Sequence, residues 1–360
     1  MKVGMLTGGG DCPGLNAVIR AVVRKGIFHY KDEFVGFLEG WRGVMEDKTM
    51  PLDLAAVAGI LPRGGTILHT SRTNPSKRPD GIPKCLENLK KHKLDALIAI
   101  GGDDTQSVAL KLHQAGFPVI GVPKTIDNDL TGTEFTFGFD TAVGVATDAI
   151  DRVHTTAEAH QRVIVVEVMG RDAGWIALYS GIAGGADVIL IPERPFDIDV
   201  VAEQLRKRHA RGRYFSIVVV AEGAKFASTT EGNAPVVQDL GLDEFGHVRL
   251  GGIGGILARE IEHRTGFETR AVVLGHTQRG GSPSPFDRVL ATRYGIGAID
   301  MVHNSKWGDM VALQGGSITS VPMSVALGTN RKVDAELIAV AEGLFELVEL
   351  GKEAKKEAGK

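Results

Sequence analysis

Two aspartates two positions apart, Asp127 and Asp129, lie in the segment Pro123-Lys124-Thr125-Ile126-Asp127-Asn128-Asp129. A carboxylate beside a phosphate can accept a hydroxyl proton during phosphoryl transfer, and its neighbour can hold a metal. An Asx turn after a strand accounts for the same pattern without chemistry. A second acidic pair, Asp103 and Asp104, follows Gly101-Gly102 and precedes Thr105. Paired carboxylates beside a glycine loop suit Mg²⁺, which takes oxygen ligands and bridges phosphate oxygens; N-capping of the next helix by Asp103 accounts for one of them equally well. Gly8-Gly9-Gly10 and Gly101-Gly102 let backbone N–H groups face an anion, and a helix behind each adds its positive dipole end. Arg162, Arg171, Arg270 and Arg279, with His276, supply the cationic half, since a guanidinium fork matches phosphate. For any single arginine an ion pair is the alternative.

These groups need elements to carry them. Lys2–Leu6 reads as a buried strand, Gly8–Gly10 as its loop and Leu15–Phe28 as a helix. This is the opening unit of a doubly wound sheet. The pattern recurs: Ala96–Ile100 is a strand, Gly101–Thr105 its loop and Gln106–Ala115 a helix. Further strands are expected at Pro118–Val122, Val163–Val168, Ser216–Val220 and Ala271–Leu274. Charged residues gather in the loops that leave these strands, and open α/β sheets bind ligands at strand carboxyl ends. Residues 226–252 read as a polar insertion, and Gly351–Lys360 as a frayed tail.

Composition narrows the class. The chain has 360 residues, 41 Lys plus Arg and 44 Asp plus Glu, a net charge of −3 that argues against a nucleic-acid binder. The longest apolar runs resemble Ile217–Ala221, too short for a membrane span. The N-terminus lacks the regions of a signal peptide. Two distant cysteines, Cys12 and Cys85, fit a reducing cytoplasm better than a disulfide scaffold. The 47 glycines are clustered in loops, as expected where backbone approaches a ligand. The chain contains neither a Gly-x4-Gly-Lys-Ser/Thr loop nor a Gly-x-Gly-x-x-Gly fingerprint, and no protein-kinase loops. No His-Glu-x-x-His occurs, so catalytic zinc is not expected.

Taken together, these loops resemble the phosphofructokinases. The matching segments are Thr7–Asn16, Gly101–Thr105, Pro123–Asp129, Gln161-Arg162, Glu167–Arg171 and Gly275–Pro283, in family order. Thr-Ile-Asp-Asn-Asp and Met-Gly-Arg are the most specific; Gly-Gly-Asp alone is shared with NAD and diacylglycerol kinases. The resemblance implies two similar doubly wound α/β domains with the active site in the cleft between them. One would span 1–138 and 278–328 and hold the phosphoryl donor with Mg²⁺. The other would span 139–277 and 329–360 and hold fructose 6-phosphate. By position, Asp127 would take the proton from the sugar 1-hydroxyl, with Lys124, Thr125 and Asp129 lining the reacting centre. Arg171 would stabilise the transferring phosphoryl group and Asp103 would bind Mg²⁺. Gly10, Arg72, Gly102, Asp104 and Thr105 would hold the donor. Met169, Gly170, Glu222, His276 and Arg279 would hold the sugar phosphate, and Arg162 and Arg270 would reach it from a neighbouring subunit. The resemblance thus implies a cytoplasmic homodimer or homotetramer acting in glycolysis.

Two positions bear on the donor. ATP-dependent family members carry glycine at both position 104 and position 124, leaving room for the nucleotide's α-phosphate and ribose. Asp104 would oppose that α-phosphate by like charge, and Lys124 would favour an unesterified diphosphate end. The pair resembles the diphosphate-dependent branch, with Asp104 the stronger indicator because some ATP users carry Lys at 124. The expected activity is reversible phosphoryl transfer from diphosphate to fructose 6-phosphate. The alternatives are an ATP-dependent enzyme, a non-catalytic sugar-phosphate sensor and a lipid or NAD kinase. Arg20 and Arg24 lie where regulated family members bind effector phosphates, although exposed helical arginines explain them too.

Overall fold

The computed structural model describes residues 1–227, 237–242 and 248–344. The chain divides into two compact units. One contains Met1–Ala142 and Arg279–Arg331, the other Val143–Gly241, Val248–Gln278 and the residues from Lys332 on.

The first unit begins with β1 (Lys2–Thr7), α1 (Leu15–Lys25), β2 (Glu33–Phe37), α2 (Trp41–Glu46), β3 (Thr49–Leu52) and α3 (Gly81–Lys91). It continues with β4 (Ala96–Gly101), α4 (Asp103–Gln114) and β5 (Val119–Pro123). Helix α5 (Phe139–His160) leads into the second unit, which holds β6 (Val163–Val168), α6 (Trp175–Ala183), β7 (Val188–Leu190), α7 (Ile198–Ala210) and β8 (Ser216–Ala221). Next come β9 (Val237–Leu242), β10 (Val248–Leu250), α8 (Ile253–Thr265) and β11 (Thr269–Val273). The chain then returns to the first unit for α9 (Pro285–His303), β12 (Asp309–Gln314), β13 (Ser317–Pro322) and α10 (Met323–Ala326), and α11 (Ala335–Leu344) belongs to the second.

The first unit's sheet has the order β13-β12-β5-β4-β1-β2-β3. From β1 the chain winds outward through β2 and β3, then restarts on the other side at β4. The switch point therefore falls between β1 and β4, where such sheets bind ligands. Strands β1, β2, β4, β5 and β12 run parallel, and the outer strands β3 and β13 are antiparallel. The second unit has an all-parallel sheet of order β11-β6-β8-β7. The two units thus share a parallel doubly wound plan but differ in strand number and edges. The insertion contributes the separate two-stranded sheet of β9 and β10; residues 228–236 and 243–247 and the expected C-terminal fray lie outside the described residues.

Strands β4, β6 and β8 are buried along their whole length. That follows from their near-continuous apolar sequence, the signature of parallel strands covered on both faces. In the first unit Leu6, Leu97 and Ala99 pack with Phe37, Trp41, Val108 and Met310. In the second, Val163, Val165, Val218 and Val220 pack with Leu205, Leu257 and Ile261. These cores fix the strands whose ends carry the chemistry.

Candidate active site

Parallel register brings the ends of β1, β4 and β5 side by side: Thr7 faces Ile100, and Gly101 faces Pro123. The three loops that follow are tied together. Gly8 N–H donates to the Ile100 carbonyl at 2.9 Å and Lys124 N–H to the Gly101 carbonyl at 3.1 Å. The glycines are needed for this approach. A Cβ at Gly8 would lie 2.5 Å from the Thr105 Oγ1, and one at Gly101 would lie 2.3 Å from Thr105 Cβ. Thr105 is buried between the two glycine loops.

Lys124 is only 3% exposed and donates from Nζ to the Gly10 carbonyl oxygen at 2.5 Å. Burial pushes its pKa below the ordinary lysine value, as does the charge of Arg279, whereas the fields of Asp127 and Asp103 act the other way. Arg279 donates to the Asp11 carbonyl at 3.2 Å, and its Nη1 would touch a Cβ at Gly10. Arg279 thus lies against the Gly10 loop in the first unit. Cys12, beneath that loop, is fully buried and its thiol is pushed up to about 12 by desolvation, so it stays protonated. On the far side Thr70 donates to the Gly9 carbonyl at 2.6 Å, which brings the segment bearing exposed Arg72 to the same loop.

Asp103 and Asp104 occupy the first turn of α4, and the helix N-cap is Gly102 with no side-chain capping bond. The capping explanation for Asp103 is therefore incorrect: its carboxylate stands exposed at the positive end of the helix dipole. The loop after β5 is shaped by Asn128, which takes φ +52° and accepts the Thr136 N–H at 2.9 Å. Thr125 Oγ1 accepts the Asp127 N–H at 3.1 Å, and Thr136 donates to the Thr125 carbonyl at 2.7 Å. Asp129 is held through its carbonyl by Arg331 N–H at 2.7 Å and through its carboxylate by Asn330 at 3.4 Å. Among the described residues no cluster of three or more His, Cys, Asp or Glu forms a metal cage. One or two carboxylates beside a phosphate loop is the donor set that Mg²⁺ takes, because it keeps waters and substrate oxygens in its shell.

In the second unit the ends of β6 and β8 converge in the same way. Glu222 N–H donates to the Val168 carbonyl at 2.8 Å, and Gly223 N–H to the Gly170 carbonyl at 3.1 Å. Gly170 has φ +138°, and a Cβ at Gly223 would lie 1.9 Å from the Arg171 carbonyl oxygen. Met169, Gly170, Arg171 and Glu222 are thus one group. Exposed His276 follows β11 on the same edge, where Gln278 accepts the Met169 N–H at 3.4 Å.

Arg162 and Arg270 do not join this group. Arg162 precedes β6, and Arg270 is the second residue of β11, opposite Ile164. Both stand at the amino edge of the parallel sheet, a strand length from Met169, or roughly 20 Å at about 3.3 Å per residue. They meet each other at Glu268, whose Oε2 pairs with Arg162 Nε at 2.8 Å and whose Oε1 accepts from Arg270 Nη2 at 2.6 Å. Arg24 stacks over Phe28 of its own segment, with 5.3 Å from the guanidinium carbon to the ring centre.

Residues 2–302 match the family model for phosphofructokinase. The chain belongs to the phosphofructokinase family. It is 60% identical over 338 residues to a pyrophosphate–fructose 6-phosphate 1-phosphotransferase of Streptomyces coelicolor, covering 94% of this chain and 97% of that one. It is 50% identical over 342 residues to an ATP-dependent 6-phosphofructokinase of the same organism, covering 95% and 99%. Among solved structures, Pichia pastoris phosphofructokinase superposes with a TM-score of 0.80 at 31% identity over 95% of this chain, which spans 36% of the longer yeast chain.

Several residues that shape this phosphofructokinase site escape sequence reasoning. Gln106 is fully buried and donates to the carbonyls of Ala99, Gly101 and Val122, stapling the ends of β4 and β5. Asn128 sets the turn that presents Asp127. Glu167 is buried in β6 and accepts the Gly252 and Gly254 N–H groups at the start of α8, at 3.0 Å and 2.7 Å. A signal for Glu167 did exist: a carboxylate inside a run of buried valines must find donors.

Proposed function

We propose that this phosphofructokinase transfers a phosphoryl group from diphosphate to the 1-hydroxyl of fructose 6-phosphate, giving fructose 1,6-bisphosphate and phosphate. The observation that carries the choice of donor is Asp104 in the first turn of α4, a carboxylate that opposes the α-phosphate of a nucleotide. Buried Lys124, lodged on the Gly10 carbonyl among the three loops that follow β1, β4 and β5, adds a cation for an unesterified diphosphate end. The 60% identity to a diphosphate-dependent relative, against 50% to an ATP-dependent one, supports the same reading.

Asp127 accepts the proton of the sugar 1-hydroxyl as its oxygen attacks the terminal phosphorus. A new bond forms between that oxygen and phosphorus while the bond from phosphorus to the bridging oxygen of diphosphate breaks. The leaving phosphate takes the bridging electron pair, and the proton on Asp127 passes on to phosphate or solvent. Thr125 orders the Asp127 backbone. The N–H groups of Gly10, Gly102 and Thr105 with Arg72 hold the donor, and Lys124 and Arg171 offset charge on the moving group. Arg279 steadies the Gly10 loop and contributes to holding the sugar phosphate. Asp103 would hold Mg²⁺, which when bound spreads the charge of the phosphate oxygens. Met169, Gly170, Glu222 and His276 hold the sugar, and Asp129 frames the reacting centre.

Arg162 and Arg270 bind the 6-phosphate of a sugar seated in a second copy of the chain, so the active form is a homodimer or homotetramer. Their position at the amino edge, remote from Met169–Arg171 in their own unit, supports this arrangement. The setting is glycolytic and cytoplasmic; among the described residues no helix is long and apolar enough to cross a membrane. A phosphorus NMR time course with diphosphate, fructose 6-phosphate and Mg²⁺ tests the reaction. One inorganic phosphate and one sugar 1-phosphate should appear for each diphosphate lost. Two phosphates with no new sugar ester would indicate hydrolysis instead.

A further inference from the structure

Two guanidinium groups held side by side repel each other, and long arginine side chains lose rotamer freedom when fixed. Between Arg162 and Arg270 stands Glu268, one oxygen for each: Oε2 to Arg162 Nε at 2.8 Å and Oε1 to Arg270 Nη2 at 2.6 Å. The backbone fixes the carboxylate's root, because Val163 N–H donates to the Glu268 carbonyl at 3.0 Å and so joins the starts of β6 and β11. Arg270 is further tied by Nη1 to the Thr269 carbonyl at 2.9 Å, with Glu262 at 3.8 Å. Both arginines hold the carboxyl of Glu268 below the usual range, Arg162 contributing the larger share, so it is anionic at neutral pH. The ion pair meets Arg162 on its Nε edge.

We propose that Glu268 is a positioning residue for the sugar phosphate: it holds Arg162 and Arg270 together as one preformed, doubly cationic clamp at the amino edge of the sheet. This rests on the reading that these arginines bind the 6-phosphate. Removing the carboxylate leaves two repelling, freely rotating cations, and the phosphate must then order them itself.

Steady-state kinetics with fructose 6-phosphate varied at saturating diphosphate and Mg²⁺ tests this. Glu268→Gln keeps the side-chain shape and one carbonyl oxygen but loses the charge. It should raise KM for fructose 6-phosphate roughly two- to fivefold, the scale of a partly exposed charge pair. The kcat and the KM for diphosphate should stay within about twofold, since only sugar binding is touched. In an Arg162→Ala background the same substitution should add little, because the bracket has already lost one side. A fall in KM on Glu268→Gln would overturn the proposal by making the carboxylate a competitor of the phosphate, and fully additive effects in the double variant would overturn it by separating Glu268 from Arg162. If Arg162→Ala raises KM while Glu268→Gln does not, the bracket fails and the clamp stands. If Arg162→Ala leaves KM unchanged, the underlying reading of this edge fails too.

Discussion

The Lys124 ammonium lies 2.5 Å from the carbonyl oxygen of Gly10, so the loops that follow β1 and β5 share one buried cation. Burial disfavours that charge, and the nearby carboxylates Asp127 and Asp103 offset only part of the cost. The cation is therefore held at the expense of stability, as a site awaiting an anion would be.

Lys124→Met separates the two roles. Because the folded pKa lies below the unfolded one, charging Lys124 at neutral pH destabilises the fold. The variant should melt no lower than wild type by differential scanning calorimetry without ligand. Its kcat/KM for diphosphate should fall about 10²–10³, the scale of losing one preorganised charge contact. A large drop in melting temperature with retained diphosphate use would reverse the assignment.

Asp127→Ser keeps a small polar group but cannot accept the proton. A fall of about 10²–10⁴ in kcat is expected, with diphosphate and fructose 6-phosphate still binding by calorimetric titration. Turnover near the wild-type rate would remove Asp127 from the role of base.

The strand–glycine–helix units were legible because each is local: Gly8–Gly10 and Gly101–Gly102 interrupt an apolar run and precede a helical period. The limits of the six expected strands fall within one or two residues of those observed, while β2, β3, β7, β12 and β13 were not expected; β11 starts at Thr269 rather than Ala271 because Arg270, although polar, lies on an exposed sheet edge. Gln106 and Asn128 were not legible as site residues. Each looks like an ordinary helix or turn residue until parallel register shows which carbonyls and N–H groups it must satisfy. That Arg162 and Arg171 lie at opposite ends of one strand was legible, because one precedes Val163–Val168 and the other follows it. Glu268 was missed because its importance lies in two partners that meet only when β6 and β11 pair.

Asp287 offers a test of the framework beneath the donor loops. It is fully buried, accepts the Thr141 N–H at 2.8 Å and its hydroxyl at 2.5 Å, and burial raises its pKa to about 6. A carboxyl whose folded value is raised contributes fully below the unfolded value, and that contribution is lost as pH rises through about 6. The change amounts to up to about 3 kcal/mol for a shift of roughly two units. Urea unfolding of wild type and Asp287→Asn at pH 4.5 and 7.5 should show the wild type losing stability relative to the variant as pH rises. Parallel behaviour of the two proteins would contradict the raised pKa of buried Asp287.

The proposed sharing of the sugar site between subunits predicts complementation. Arg162→Ala and Asp127→Ser chains should each be impaired, yet a hybrid would place an intact Asp127 and an intact Arg162 in one site. Refolding or co-expressing the two should recover a measurable fraction of wild-type activity. Purified hybrids with no recovery would indicate that each chain completes its own site.

Donor choice tests the central claim most directly. Purified protein is assayed with fructose 6-phosphate and Mg²⁺, and kcat/KM is compared for diphosphate and for ATP, in wild type and in Asp104→Gly. Lys124 favours a free diphosphate end and Asp104 opposes the α-phosphate, so wild type should prefer diphosphate by tenfold or more. Asp104→Gly should shift the ratio toward ATP by about tenfold, the scale of one partly buried like-charge contact of a few kcal/mol or less. A wild type that prefers ATP, with a ratio unchanged by Asp104→Gly, would contradict the account.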